Sequence, residues 1–397
     1  MEKTMLAYRA KAQWRPRESY ELSERELRDR RAMRANYVYR NLTAHLTKVP
    51  VPTPGKGEVL LQIGACGICG SDLHVLKSGA DDYTAYGLQL RLPVTLGHEI
   101  AGQVVELGPN VTSVQKGDLI AVEQIRWCGE CPSCRQGMFN QCLRLEETGL
   151  SCDGGFAEYM LVPEKYCCVI NDLAEHLGSS MAAMEAGALA EPTCVAYSGI
   201  QINADGLKAG SHVAVFGAGP IGLCSIALAR AMGAAKIIAF STNPARDPLA
   251  RAVGADYVFN PNELASEGHS AGAVVLELTN GIGAGMIIEA SGSLRTVYPE
   301  MMKCVGVGGK ILQLGVGTEP ALVETATLLQ KNARIYGSMG HAGSGIYPSV
   351  LRMMASGRID MRQIITARYT LSNIDQAFAA CRQRELGHGK IMIGDYE

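Results

Sequence analysis

Four of the chain's thirteen cysteines crowd into one short stretch, Cys128-Gly-Glu-Cys131-Pro-Ser-Cys134, with seven further residues before Cys142. Two-residue gaps let neighbouring thiolates turn onto one tetrahedral ion at about 2.3 Å, and a fourth thiolate closes the shell. With every position filled by sulfur, no place is left for water or substrate, so this lobe, at about 128–142, reads as a structural zinc site. A second set of ligand types is dispersed: Cys69 in GICGSDLH, His98 and Glu99 in LGHEIAG, and Glu191 in AEPTCVAY. A catalytic zinc needs about three protein ligands and one open position. Each piece alone is weak. Their order, on either side of the four-cysteine lobe and ahead of a glycine-rich turn, joins them into one candidate centre.

That turn is Gly217-Ala-Gly219-Pro220-Ile221-Gly222, which follows the apolar run HVAVF (212–216) and opens a helix. The setting gives the pattern its meaning: the first glycine turns the chain, the second admits a pyrophosphate, and the third lets helix pack on strand. The positive end of the helix then faces the phosphates. An NAD site should carry an acidic residue about 20 residues on. Here KIIAF (236–240) runs into Ser241-Thr242-Asn243 with Arg246 close by and no carboxylate. Hydroxyls, an amide and a guanidinium suit a 2′-phosphate, so NADP is favoured slightly over NAD.

The elements that must hold these groups fall into two styles. Residues 1–48 are the least informative, and the charged segment Glu18 to Ala35 reads as a solvated surface helix. From Val49 to about Ile200, Pro- and Gly-rich turns separate short strands such as Glu58–Ile63. From there strand and helix alternate, with HVAVF, KIIAF, MIIEA (286–290) and KILQL (310–314) as buried parallel strands and Ile221–Met232 as a helix. The last stretch holds a helix at Ser349–Ser356 and a β element, GKIMI, that returns to the first part. The expected fold is α/β: a doubly wound parallel sheet at 201–340, joined to a β-rich catalytic domain made of 1–200 and 341–397.

With these motifs in this order, the sequence resembles the zinc-containing medium-chain alcohol and polyol dehydrogenases, from about Val49 onward. The resemblance implies a Rossmann domain and a GroES-like catalytic domain. It implies Cys69 and His98 as ligands of a catalytic zinc, Glu191 completing the shell directly or through water, and Glu99 able to exchange onto the metal. Asp72 matches a residue that orients the ligand histidine, Ser71 and His74 match a proton relay, and Cys66 is a spectator. Ala290 and Ser291, then Leu314 and Gly315, match loops lining the nicotinamide. Two zinc ions per chain follow, one catalytic and one structural, and a homodimer or homotetramer is the family's usual assembly. The chemistry is hydride transfer from a zinc-activated hydroxyl to nicotinamide.

Glu in place of Cys at position 191 resembles the polyol and sugar branch. The segments AKAQWRPR, WCGECPSC, DGGFAEYMLVPEKY and GSMGHAGSG are similar to dehydrogenases of keto-inositols such as scyllo-inosose. A secondary hydroxyl of a cyclic polyol or sugar-like molecule is the expected substrate, with Tyr83, Tyr86, Lys165 and His341 as candidate pocket residues. The competing readings are a sorbitol- or threonine-type enzyme on an acyclic substrate and a zinc-binding sensor of nicotinamide redox state without catalysis.

Composition limits the partners. A net charge of −2 offers nothing for nucleic acid or an anionic membrane surface, and 47% hydrophobic content describes a globular chain. No run reaches the roughly 20 apolar residues of a membrane span. The Arg-rich start also carries Glu18, Glu21, Glu24 and Glu26, unlike a transit peptide. The expected location is cytoplasmic and the expected partner a small molecule.

Overall fold

The computed structural model describes residues 3–317 and 319–396. Six parallel strands form one sheet in the spatial order Tyr257–Phe259, Lys236–Phe240, His212–Phe216, Ala284–Glu289, Val305–Gln313, Arg334–Gly337. Numbered along the chain, this order reverses at the His212–Phe216 strand, which opens a ligand crevice at the carboxyl ends of the strands. Alternation along each strand divides the core. Val213, Val215, Ile237 and Ala239 join a cluster on one face, and Ala214, Phe216, Ile238 and Phe240 join another on the opposite face. Helices cover both faces, so these strands are apolar throughout.

A second, seven-stranded sheet contains Cys167–Val169, Leu119–Val122, Glu99–Leu107, Glu58–Gly67, Lys390–Gly394 and Ile365–Thr370, with Tyr159–Pro163 paired to Glu58–Gly67. Met392, Ile393 and Gly394 pair antiparallel with Gly67, Cys66 and Ala65, so GKIMI enters the sheet built by the first part of the chain. Thr4–Trp14 and Tyr39–Pro50 form a long antiparallel pair beside this sheet, and Val94–Thr95 extends it.

Between those two long strands runs a strap, residues 15–38. The long solvated helix expected there is replaced by one helix of six residues, Glu24–Asp29, and a short 3₁₀ turn at Ala35–Tyr37. The charges have inward partners. Ser23 and Glu26 form a reciprocal cap, and the Glu26 carboxylate also accepts from Met33 N–H at 2.8 Å and Tyr20 hydroxyl at 2.9 Å. Glu26 and Arg31 are buried. No helix among the described residues is long and apolar enough to cross a membrane.

Candidate metal centres and nucleotide cleft

The four-cysteine lobe leaves the sheet as a long excursion between Ile125–Arg126 and Glu146–Glu147, which pair as a two-stranded ribbon. Its sulfur atoms all lie within 4.8 Å of one another. Cys128 to Cys142 is 3.5 Å, Cys131 to Cys142 3.9 Å and Cys128 to Cys134 4.0 Å. A disulfide needs about 2.05 Å, whereas the edge of a tetrahedron with zinc–sulfur bonds of 2.3 Å is about 3.8 Å. Backbone N–H groups converge on the same sulfurs: Glu130 and Cys131 donate to Cys128 Sγ at 3.4 Å, and Arg144 to Cys142 Sγ at 3.3 Å. The Glu130 N–H leads the causes that draw the Cys128 thiol down to about 5, so it is a thiolate near neutrality. The donor set fits zinc.

The second centre is assembled from neighbouring strands and a helix start. Cys69 caps the helix Gly70–Leu76, and His98 immediately precedes the strand Glu99–Leu107. Ligand atoms of Cys69, His98 and Glu99 all lie within 4.8 Å of one another. Asp72 is fully buried; it accepts from Cys69 N–H at 2.9 Å and points its other oxygen at His98 Nδ1 from 3.6 Å. Ser71 Oγ stands 3.2 Å from His98 Nε2. Burial opposes a charged imidazole at His98, yet Asp72 and Cys69 outweigh it and raise its proton affinity well above the ordinary value. The same field favours any cation at this place. His98 Nδ1, Asp72 Oδ1 and Glu99 Oε2 are buried with no hydrogen-bond partner. Thiolate, imidazole and carboxylate, with one orphaned carboxylate oxygen among them, suit a zinc ion.

Glu191 does not join that close set. Its Oε1 lies 3.2 Å from His341 Nε2, both side chains being buried. Burial raises the Glu191 pKa, but the hydrogen bond and charge of His341 more than offset it, and the carboxyl is held below its usual range. His341, a candidate pocket residue, is fully buried with its ring against Glu191. Lys165 likewise donates to Trp127 O at 3.0 Å and lies over the Trp127 ring, and Tyr83 donates to Arg15 O beneath the Arg17 guanidinium. Tyr86 is buried within electrostatic reach of Cys69 and Asp72. Cys66 is buried with its thiol pushed up by desolvation, and His74 is exposed.

The glycine turn shows three distinct reasons for glycine. Gly217 has φ +106°, and a Cβ there would meet the Ala290 carbonyl carbon and oxygen at 2.8 Å. A Cβ on Gly222 would overlap Gly217 O, so the helix Pro220–Ala231 packs directly on the turn. Around Gly219 there is open space, with an Arg246 guanidinium nitrogen 3.7 Å from the position of its missing Cβ. Ser241 is buried and its hydroxyl exchanges hydrogen bonds with Asn243 backbone. Leu314 packs over Gly199, and Gly315 has no room for a side chain against Glu289 Oε2.

Two residues that the sequence reading missed organise these sites. Lys390 is buried and donates to Glu99 Oε1 at 2.5 Å and to Ile68 O at 3.2 Å. Glu289 is fully buried and accepts from Ser291 N–H and hydroxyl, Gly292 N–H and Gln313, which ties the 290–293 turn to the Leu314–Gly315 turn. The acid heading EASG was an available signal for Glu289, whereas the lysine of GKIMI carried none of its own.

Comparison with known proteins agrees with this geometry. Residues 55–172 match the alcohol dehydrogenase GroES-like domain, and residues 220–356 match the zinc-binding dehydrogenase family. Scyllo-inosose 3-dehydrogenase of Thermotoga maritima is 33% identical over 383 residues, covering 94% of this chain and 95% of that protein. L-threonine 3-dehydrogenase of Pyrococcus furiosus is 33% identical over 360 residues, covering 88% and 95%. A solved Thermotoga maritima structure described as an alcohol dehydrogenase superposes with a TM-score of 0.93 at 31% identity, covering 98% of this chain and all of that one. The chain therefore belongs to the zinc-binding, medium-chain alcohol dehydrogenase family of oxidoreductases.

Proposed function

We propose that this dehydrogenase oxidises a secondary hydroxyl of a cyclic polyol, inositol derivative or sugar-like molecule, or carries out the reverse reduction, with NADP or NAD as partner. The observation that supports this most is the convergence of Cys69, His98 and Glu99 within 4.8 Å in a buried, electronegative site. Bound zinc would supply Lewis acidity to the substrate oxygen, and bound nicotinamide would take up or return the hydride. Cys69 and His98 hold the ion in this reading, with Glu99 and Glu191 as exchangeable or water-bridged acids. Asp72 keeps the His98 ring in place. Ser71, beside His98, passes a proton toward the exposed His74.

The turn Gly217 to Gly222, with Pro220 and Ile221 opening the helix, carries the pyrophosphate, while Leu314 and Gly315 border the nicotinamide half. Arg246 beside Gly219, together with Ser241, favours NADP slightly over NAD. The four-cysteine lobe holds a second, structural zinc. In this reading 1–200 with 341–397 is the catalytic unit and 201–340 the nucleotide unit of a cytoplasmic homo-oligomer. The similarity to the inosose dehydrogenase and the Glu at position 191 favour a ring substrate.

The test is a panel of myo-inositol, sorbitol and L-threonine with each cofactor, followed by reduced-nicotinamide absorbance, alongside zinc measured per chain. Preference for the ring polyol and two zinc ions are expected. Preference for sorbitol or L-threonine would overturn the substrate class, and one zinc without turnover would favour a redox sensor.

A further inference from the structure

At the carboxyl edge of the parallel sheet, Glu289 ends the strand Ala284–Glu289, in register with Phe216 on one side and Gln313 on the other. The same edge sets the direction of a dinucleotide. Ser241 to Arg246 follow the strand Lys236–Phe240, the glycine turn follows His212–Phe216, and the turns 290–293 and 314–317 follow the next two strands across. With the adenosine end beside Arg246 and the pyrophosphate at the glycine turn, the nicotinamide end reaches the last two turns. Close backbone contacts join the three turns in that order. A Cβ on Gly217 would meet Ser291 N at 2.8 Å, and one on Gly292 would meet Val316 O at 2.8 Å. Gly217 N–H also donates to Phe240 O at 2.9 Å, so the phosphate turn has a tether of its own.

Glu289 fastens the two outer turns to each other. Its Oε1 accepts from Ser291 N–H at 2.8 Å, Ser291 hydroxyl at 2.6 Å and Gly292 N–H at 2.9 Å, and its Oε2 from Gln313 Nε2 at 2.8 Å. Gln313 extends the link: the same Nε2 donates to Gly315 O at 2.5 Å, and its Oε1 accepts from Tyr298 hydroxyl at 2.9 Å. The chemistry calls for an acid here. Both oxygens face donors, so a glutamine would satisfy one side and turn its own N–H groups on the other. A wholly buried carboxylate is costly unless hydrogen bonds compensate it, and these bonds all come from the walls of the crevice. We infer that Glu289, with Gln313, is a positioning residue for the nicotinamide, holding the 290–293 and 314–317 turns as one wall while the glycine turn anchors the phosphates. This rests on the dehydrogenase reading above.

The test separates the two ends of the cofactor. Calorimetry compares NADPH with 2′-phospho-ADP-ribose and NADH with ADP-ribose, each pair sharing its phosphates and differing by the nicotinamide. In Glu289→Gln the preference for whole cofactor over its fragment is expected to fall roughly 10-fold or more, the factor carried by a hydrogen bond to a charged group. Fragment affinity and zinc per chain should match wild type. The fluorescence of the bound reduced nicotinamide, which reports only the surroundings of that ring, should move toward that of free cofactor. Gln313→Met keeps the acid and removes its link to Gly315, and it should act in the same direction; if Glu289→Gln fails to fold, this variant decides by the same ratio. An unchanged ratio overturns the inference, as does equal weakening of cofactor and fragment. Wild type that binds neither whole cofactor defeats the dehydrogenase reading and takes the inference with it. Wild type that binds one, with variants that keep its ratio, defeats the inference alone.

Discussion

Glu99 and Lys390 are both almost wholly enclosed, with their charged atoms 2.5 Å apart. Burial pushes the Glu99 carboxyl above its usual range, and Lys390 opposes that shift without cancelling it, beside Cys69 and His98. Lys390→Met removes the counter-charge without emptying much volume, and the orphaned carboxylate should cost about 3–5 kcal/mol of stability, measured by urea unfolding. Stability equal to wild type would show that Glu99 tolerates its site alone. Cys69→Ser attacks the centre from the other side. Turnover should drop by more than roughly 100-fold, the upper range for disturbing an outer-shell partner, while cofactor still binds by fluorescence titration. Full activity in that variant would reject Cys69 as a ligand. Cys69 and His98 could be paired from the sequence only through the family resemblance, since each motif alone is weak, and the structure brings their ligand atoms within 4.8 Å. Lys390 could not, since its partner lies 291 residues away and a lysine in a short strand has no local signature.

The lobe and the strap show how far a motif reveals an element. Cysteine spacing exposed the lobe because two-residue gaps turn neighbouring thiols toward one point, the geometry a tetrahedral ion would need. Cys131→Ala should lower zinc by one ion per chain and the melting temperature with it, both read on the same sample by metal analysis and calorimetry. The strap was hidden, because charged residues ordinarily mark a solvated face and nothing in their periodicity tells that Glu26 and Arg31 turn inward. Its pH behaviour follows from Glu26. Burial raises the Glu26 carboxyl, but hydrogen bonds from Met33, Ser23 and Tyr20 outweigh it and the pKa lies below 4.5. A lowered folded pKa gives stability that is present above the unfolded value and lost as pH falls through the folded one. Glu26→Gln should therefore unfold with a flatter dependence between about pH 5 and 3, recorded as melting temperature against pH. An unchanged slope would remove Glu26 from the account.

At the scale of the molecule, the doubly wound sheet was readable because apolar runs alternated with helical lengths, whereas the pairing of Lys390–Gly394 with Glu58–Gly67 needed the three-dimensional path. The parallel sheet ends in an edge strand, Arg334–Gly337, with Ile335 exposed on it and Leu329 and Val307 each 85% exposed nearby. An open edge flanked by apolar side chains suits pairing with a second copy of the chain. If the protein is a homodimer or homotetramer, Val307→Asp with Leu329→Asp should shift sedimentation toward the monomer, and an unaltered profile would place the contact elsewhere. The Glu99–Lys390 contact carries a last consequence, for synthesis. During translation the acid emerges long before its lysine, and at about 5–20 residues per second the 291 intervening residues take roughly 15–60 s. Until Lys390 emerges, Glu99 cannot be buried against its counter-charge, so a ribosome stalled before Lys390 leaves a chain that has its thiols and imidazole but lacks the ammonium that completes their pocket.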